Sequence, residues 1–196
     1  MAQQAPKLAT PATELLECIE ELSLSPGIAV GESLVIHPIH LAGQPLRLKL
    51  GDDYVSVHGE PVSYSPQGHR KTITFKVPRS VFEAFVALEE ACRQNLAGLA
   101  PGREVRALWR SSLCPARGEQ ATLKAKINLS GPCAARFFDD AGTQVGRPST
   151  WTGLCVKAMV LVRGCYVQRL ANGVPSAYGL MLEVTHLSYG VQICPF

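Results

Sequence analysis

The chain has 196 residues, 46% of them hydrophobic and 18% charged, with a formal net charge of +3. That length suits one domain with a real core, and no apolar run of about 18 residues offers a membrane span. There is no basic flank followed by an apolar run at the start, so no secretory signal is expected. Seven cysteines at irregular spacing, with no CxxC pair, predict reduced thiols in an intracellular compartment and argue against a zinc site. The charge is uneven. Residues 1–40 hold one lysine and five glutamates, whereas the rest is basic, a balance that points to a polyanionic partner.

Residues 1–12 are small and polar with two prolines and read as a disordered arm. Thr13 then caps a helix over 13–25, with Leu15, Leu16, Ile19 and Leu22 as an apolar stripe. The stripe can dock on its own domain or on a second copy of the chain. Short strands follow: Ile28 to Ile36, Leu46 to Leu50, and Tyr54 to His58, with a turn at Gly51-Asp52-Asp53. After the loop SYSPQGHRK, Thr72 to Val77 alternates. One long helix then runs to Leu99, opened by Ser80, with Val81, Phe85, Leu88, Cys92 and Leu96 on its apolar face. Val105 to Ser111 and Thr122 to Leu129 alternate as strands, and a short strand from Ala134 to Phe138 ends in the turn Asp139-Asp140-Ala141-Gly142.

Trp151 to Tyr189 organises the rest. Val156, Ala158, Val160 and Val162 fall on one parity, and Lys157, Met159, Leu161 and Arg163 on the other, the mark of a strand with one buried face. Ala171-Asn172-Gly173, backed by Pro175, is a turn, and Tyr178 to Tyr189 is the return strand. A hairpin of this length is the spine of a twisted sheet or small barrel. The chain thus reads as mainly β, with residues 26–191 as a single domain and 192–196 as a tail.

Placed side by side, the strands share a basic polar parity: Arg47 and Lys49, Lys76, Arg106 and Arg110, Lys124 and Lys126, Lys157 and Arg163. Lys71 lies just before Thr72, and Glu183 is the main acid among these positions. Such a face can neutralise phosphates and release counterions. Aromatic rings that stack on unpaired bases would favour a single strand over a duplex. Among Tyr54, Tyr64, Trp109, Trp151, Tyr166, Tyr178 and Tyr189, Trp151, in a loop between Arg147 and Lys157, is the first candidate, and Tyr64, before His69-Arg70-Lys71, the second. Trp109 shares the parity of Val105 and Ala107 and belongs to the core. No phosphate loop, complete metal site or nucleophile–base pair is visible. No enzyme activity, metal or cofactor is therefore expected.

The stretches LKAKI (123–127), RFFDDAGTQV (136–145), CVKAMVLVRGCYV (155–167) and AYGLMLEVTHLSY (177–189) resemble the OB-fold single-stranded-DNA-binding proteins of phages and large DNA viruses. TITFKVP (72–78) and the helix after it resemble that family more loosely. The likeness spans roughly residues 70–190 and is one of order and spacing. It implies an OB-like five-stranded barrel with one long helix and an N-terminal helical arm. It also implies sequence-independent single-stranded DNA binding in replication or recombination, and replication proteins as partners. Many phage members end in an acidic tail with a terminal phenylalanine. Here Phe196 is present without the acidic run, which puts tail-mediated recruitment in doubt. The rival reading is a β-rich virion or assembly protein that oligomerises through residues 13–24.

Overall fold

The computed structural model describes residues 9–50, 54–63, 70–99, 105–115 and 121–190. The fold is mostly β. The long hairpin is its spine, with strands Cys155–Arg169 and Pro175–Tyr189 paired antiparallel along their length. Valine-rich alternation forms it as the sequence predicts: Val156, Ala158, Val160 and Val162 are buried, while Lys157 and Arg163 are exposed. The turn carries Gly173 at φ 78°, a left-handed conformation that glycine adopts without strain, and the Gly173 amide donates to the Leu170 carbonyl at 2.8 Å. Pro175 opens the return strand, a position where a missing N–H is tolerated.

Three further strands join the hairpin in a ring. Val55–Val57 pairs with both Cys155–Arg169 and Arg70–Val77, Arg70–Val77 pairs with Ala121–Asn128, and Ala121–Asn128 runs parallel to Pro175–Tyr189. The ring is not a regular barrel. Its Val55–Val57 member is three residues long, and the hairpin register shifts at three places. Strands Leu34–His37 and Arg47–Lys49 add to the outer edge of Cys155–Arg169, and Arg136–Phe138 runs parallel to the far end of Pro175–Tyr189. The ring is filled by the apolar parities, among them Ile73, Phe75, Leu123, Ile127, Val160 and Leu182.

The long helix, Arg79–Leu99, covers this core with Val81, Phe85, Leu88, Cys92 and Leu96, the face read from its spacing. No helix among the described residues is long and apolar enough to cross a membrane.

Several elements differ from expectation. The N-terminal helix is broken into a 3-10 turn Ala12–Glu14, an α-turn Leu15–Cys18 and a second 3-10 turn Ile19–Glu21. Leu22–Leu24 is instead a strand paired with Ile39–Leu41. Leu15 is fully buried against the chain's own core, while Leu16 is 46% exposed. The stripe therefore packs in cis, because the long helix leaves a strip of core that these leucines close. Ile28 to Ile36 forms two strands, Ile28–Ala29 and Leu34–His37, folded on each other. Val105 to Ser111 is a turn followed by the two-residue strand Trp109–Arg110: the Trp109 amide donates back to the Arg106 carbonyl at 3.3 Å, and the Leu108 carbonyl accepts from the Tyr178 amide of the hairpin at 3.0 Å. Cys18, Cys92, Cys114, Cys133 and Cys165 are free thiols, but Cys155 is disulfide-bonded, against the expectation of thiols throughout.

Candidate nucleic-acid interface

Residues that pair across a sheet share a side of it, so register decides which cations stand together. Lys126 faces Thr72 on one neighbour and Glu183 on the other, Lys124 faces Thr74, and Arg70 faces Asn128. All of these lie on the outer side of the ring. Tyr166 pairs with Gly179, and Arg110 pairs with Gly179 from the other edge. Arg70, Arg110, Lys124, Lys126 and Tyr166 thereby meet around one groove of about 230 Å³, floored by Ala125, Met181 and Leu182.

The groove is built rather than incidental. Buried Glu89, on the long helix, accepts from Trp109 Nε1 at 3.0 Å and from the Ser112 amide at 2.8 Å. A buried carboxylate with two donors fixes the segment between them, and that segment carries Arg110 into the groove. Gly179 has its own reason. A Cβ there would lie 2.7 Å from the Arg110 carbonyl oxygen and 2.8 Å from the Tyr166 hydroxyl and Cε1. The Tyr166 ring thus lies against bare backbone, held by the close approach of two strands. Burial, helped by the Glu89 carboxylate and opposed by the Arg110 guanidinium, holds the Tyr166 phenol above its ordinary range, so it is neutral at physiological pH.

Among the described residues, no carboxylate lines the groove. Among the described residues, the ion pairs use Arg79, Arg93, Arg106 and Arg163, so Arg70, Arg110 and Lys124 carry uncompensated charge. Lys126 Nζ donates to Thr72 Oγ1 at 2.7 Å, and burial together with nearby Arg70 lowers its ammonium pKa. Crowded cations of this kind are relieved by a polyanion.

The other sequence candidates are dispersed. Trp151, expected in an open loop, is 5% exposed and packs edge-on against Phe137, with centroids 5.9 Å apart and planes at 74°. Its loop is pulled inward because the Trp151 amide donates to Glu60 Oε1 at 2.9 Å. The ring is core and cannot lie on a base as it stands. Arg106 sits in a turn and pairs with Glu90 of the helix, not on a strand face beside Arg110. Lys71 faces Ile127, on the side opposite Lys126. Lys76 faces Ser56 and Thr122, around the ring from the groove. Lys157 lies 4.8 Å from the centroid of Tyr54, whose hydroxyl donates to Asp140. Arg163 Nε donates to Glu183 Oε2 at 2.6 Å, while Asn128 Nδ2 donates to Glu183 Oε1 at 2.7 Å. Arg47 and Lys49 face Leu161 and Met159, farther along the hairpin. Tyr64 lies outside the described residues.

No protein-family model and no curated protein sequence matches the chain. Among solved structures, it is similar to the crystal structure of gp2.5, a single-stranded DNA binding protein encoded by bacteriophage T7. The TM-score is 0.54 at 12% identity, over 78% of this chain and 89% of that one. At that identity the likeness is one of fold.

Sequence reasoning did not single out Arg70, and it placed Tyr166 among the aromatic candidates but behind Trp151 and Tyr64. The signal for Tyr166 was Gly164 two residues before it in its own strand and Gly179 in the return strand, which lies opposite the tyrosine. The signal for Arg70 was its i, i+2 spacing with Thr72, Thr74 and Lys76, which puts it on the outer parity. Among the described residues no group of three or more His, Cys, Asp or Glu side chains could hold a metal ion.

Proposed function

We propose that this protein binds single-stranded DNA without sequence preference and acts in DNA replication or recombination. The observation that carries the reading is the groove in which Arg70, Arg110, Lys124 and Lys126 meet around Tyr166 with no described carboxylate among its lining residues. Cations spaced about a flat ring suit a flexible strand: phosphates are neutralised while one base stacks, and neither contact reads base edges. A duplex keeps its bases stacked inside and gains nothing from the ring. The similarity to a phage protein described as binding single-stranded DNA supports the same reading, as does the closed five-strand ring, which fits an OB-type barrel. Assembly through residues 13–24 has less support, because Leu15 and Leu22 are spent on the chain's own core.

The test is fluorescence anisotropy with a labelled oligo-dT, competed by unlabelled oligo-dT, mixed-sequence single strand and duplex. The reading expects single strands of either sequence to compete alike and duplex to compete poorly. Equal competition by duplex would contradict it. The label belongs on the DNA, since Trp151 is buried and Trp109 is half-buried against Glu89, so neither reports base contact directly.

A further inference from the structure

The outer side of the hairpin continues past the groove, and a second cluster of cations and rings lies along it. From Gly179 to His186 is seven residues of one strand, roughly 23 Å at about 3.3 Å per residue. Between them stands Glu183, its two oxygens occupied by Arg163 and Asn128. Beyond it, His186 pairs with Met159 on one side and with Arg136 on the other, and Met159 pairs in turn with Lys49. Phe138 stacks on the His186 ring, with centroids 5.7 Å apart and planes at 18°. Arg136 and Arg47 are exposed, and no described carboxylate pairs with either.

We propose that Arg47, Arg136, Phe138 and His186 form a second subsite for the same DNA strand, taking a phosphate and an unpaired base. The proposal rests on the single-stranded DNA reading above and extends it. A stacked Phe–His pair on a sheet surface presents a flat edge to a third ring, and two guanidiniums beside it supply the charge that a phosphate needs. The strand would run along the hairpin from Tyr166 to His186, passing over the Arg163–Glu183 pair, which keeps the middle of the path nearly neutral.

The histidine adds a proton to this site. Thr185 Oγ1 donates to the Met159 carbonyl at 3.3 Å and shares a hydrogen bond with His186 Nδ1 at 3.0 Å. Burial, with Arg136 and Arg47, lowers the His186 pKa from its ordinary value, and the ring is neutral near pH 7. The groups that face it are Arg136 and Phe138, Arg47 and Lys49, and Met159. Nearby Glu183 is already bridged, and Asp140 is bonded to Tyr54. A phosphate between the two guanidiniums would offset their repulsion and raise that pKa, so binding there would take up a proton as pH falls.

The experiment compares wild type with Arg136→Gln/His186→Gln against oligo-dT of about 3 nucleotides, too short to bridge the roughly 23 Å between the subsites, and of about 15 nucleotides, long enough for both. Affinities are measured at pH 7.5 and pH 5.5, and melting temperatures for both proteins. The proposal expects the variant to keep wild-type affinity for the short strand and to lose about 5- to 50-fold for the long one. It also expects wild type, but not the variant, to hold the long strand tighter at pH 5.5. A variant with unchanged long-strand affinity overturns the second subsite and leaves the groove standing, and so does an equal loss for both lengths. Failure of wild type to bind either strand overturns the single-stranded DNA reading itself. Should the double variant melt early, Arg136→Gln alone, at an exposed position, carries the same comparison.

Discussion

Exchanging two aromatic residues separates binding from folding. Tyr166 is half-buried in the groove against Gly179, while Trp151 is 5% exposed and wedged on Phe137. Stacking of one base on one ring is worth about 1–3 kcal/mol. At about 1.4 kcal/mol per factor of ten, Tyr166→Ala should weaken oligo-dT binding roughly 5- to 150-fold. The cost to stability should be smaller, because much of the ring's outer side is wet. Trp151→Ala should do the reverse. Removing a buried tryptophan costs about 3–5 kcal/mol of folding free energy, and the Glu60 contact is to backbone, so the substitution does not by itself remove it. Affinity per folded molecule should stay at the wild-type value. The assay is chemical denaturation and oligo-dT anisotropy on the same two proteins, with active fraction fixed by stoichiometric titration. If Trp151→Ala lost affinity at full folding while Tyr166→Ala bound normally, the assignment of ring to groove would be wrong.

Other perturbations probe other parts of the account. Lys124→Glu, at an exposed groove position with no described acid partner, should lower affinity and flatten the salt slope by about 0.7 per lost phosphate contact, without shifting the melting temperature. Leu15→Ala should cost about 2–5 kcal/mol in denaturation with no change of mass in light scattering, since Leu15 is fully buried in cis. Glu89→Ala leaves the Trp109 indole and the Ser112 amide unpaired and should cost about 1–3 kcal/mol per orphaned donor. It should also weaken DNA binding as the Arg110 segment loosens. For His186, the folded pKa lies below the unfolded one, so the unfolded chain binds more protons in the interval between them. Its contribution to stability is therefore intact above the unfolded value and lost as pH falls through the folded one. Melting of wild type at pH 7.5 and 5.5, set against His186→Gln, should show a smaller acid loss in the variant.

Where the sequence could be read, it was read through periodicity. The hairpin, the Arg70–Val77 and Ala121–Asn128 strands and the long helix each hold a sustained apolar period, and each forms close to its expected bounds. The segment 105–111 alternates just as well, yet only Trp109–Arg110 is a strand, because Glu89 captures one end of it from 20 residues away. Parity put Lys124 and Lys126 on the outer face correctly. Parity could not say how a closed ring would distribute that face. Cations that looked like one surface point in different directions around it, and Lys76 stands opposite Ser56 rather than in the groove. Trp151 shows the sharper limit. Gly146 to Thr150 has loop composition, but a loop that is pinned by Glu60 turns its tryptophan inward, and that contact spans 91 positions. Tyr166, an aromatic candidate ranked behind Trp151 and Tyr64, was passed over for the complementary reason. Its exposure depends on Gly179, a partner that becomes visible only with the bulged register of the hairpin.

The most direct measurement is the salt dependence of binding to an oligo-dT of about 5 nucleotides, enough to bring about four phosphates to the groove. Four cations, Arg70, Arg110, Lys124 and Lys126, line it. If each neutralises one phosphate, log affinity should fall against log salt with a slope of about −3, at roughly −0.7 per contact on single strands. Duplex of the same length should bind far more weakly at every salt concentration. A slope near zero, or a duplex bound as tightly as the single strand, would contradict the assignment of this groove to single-stranded DNA.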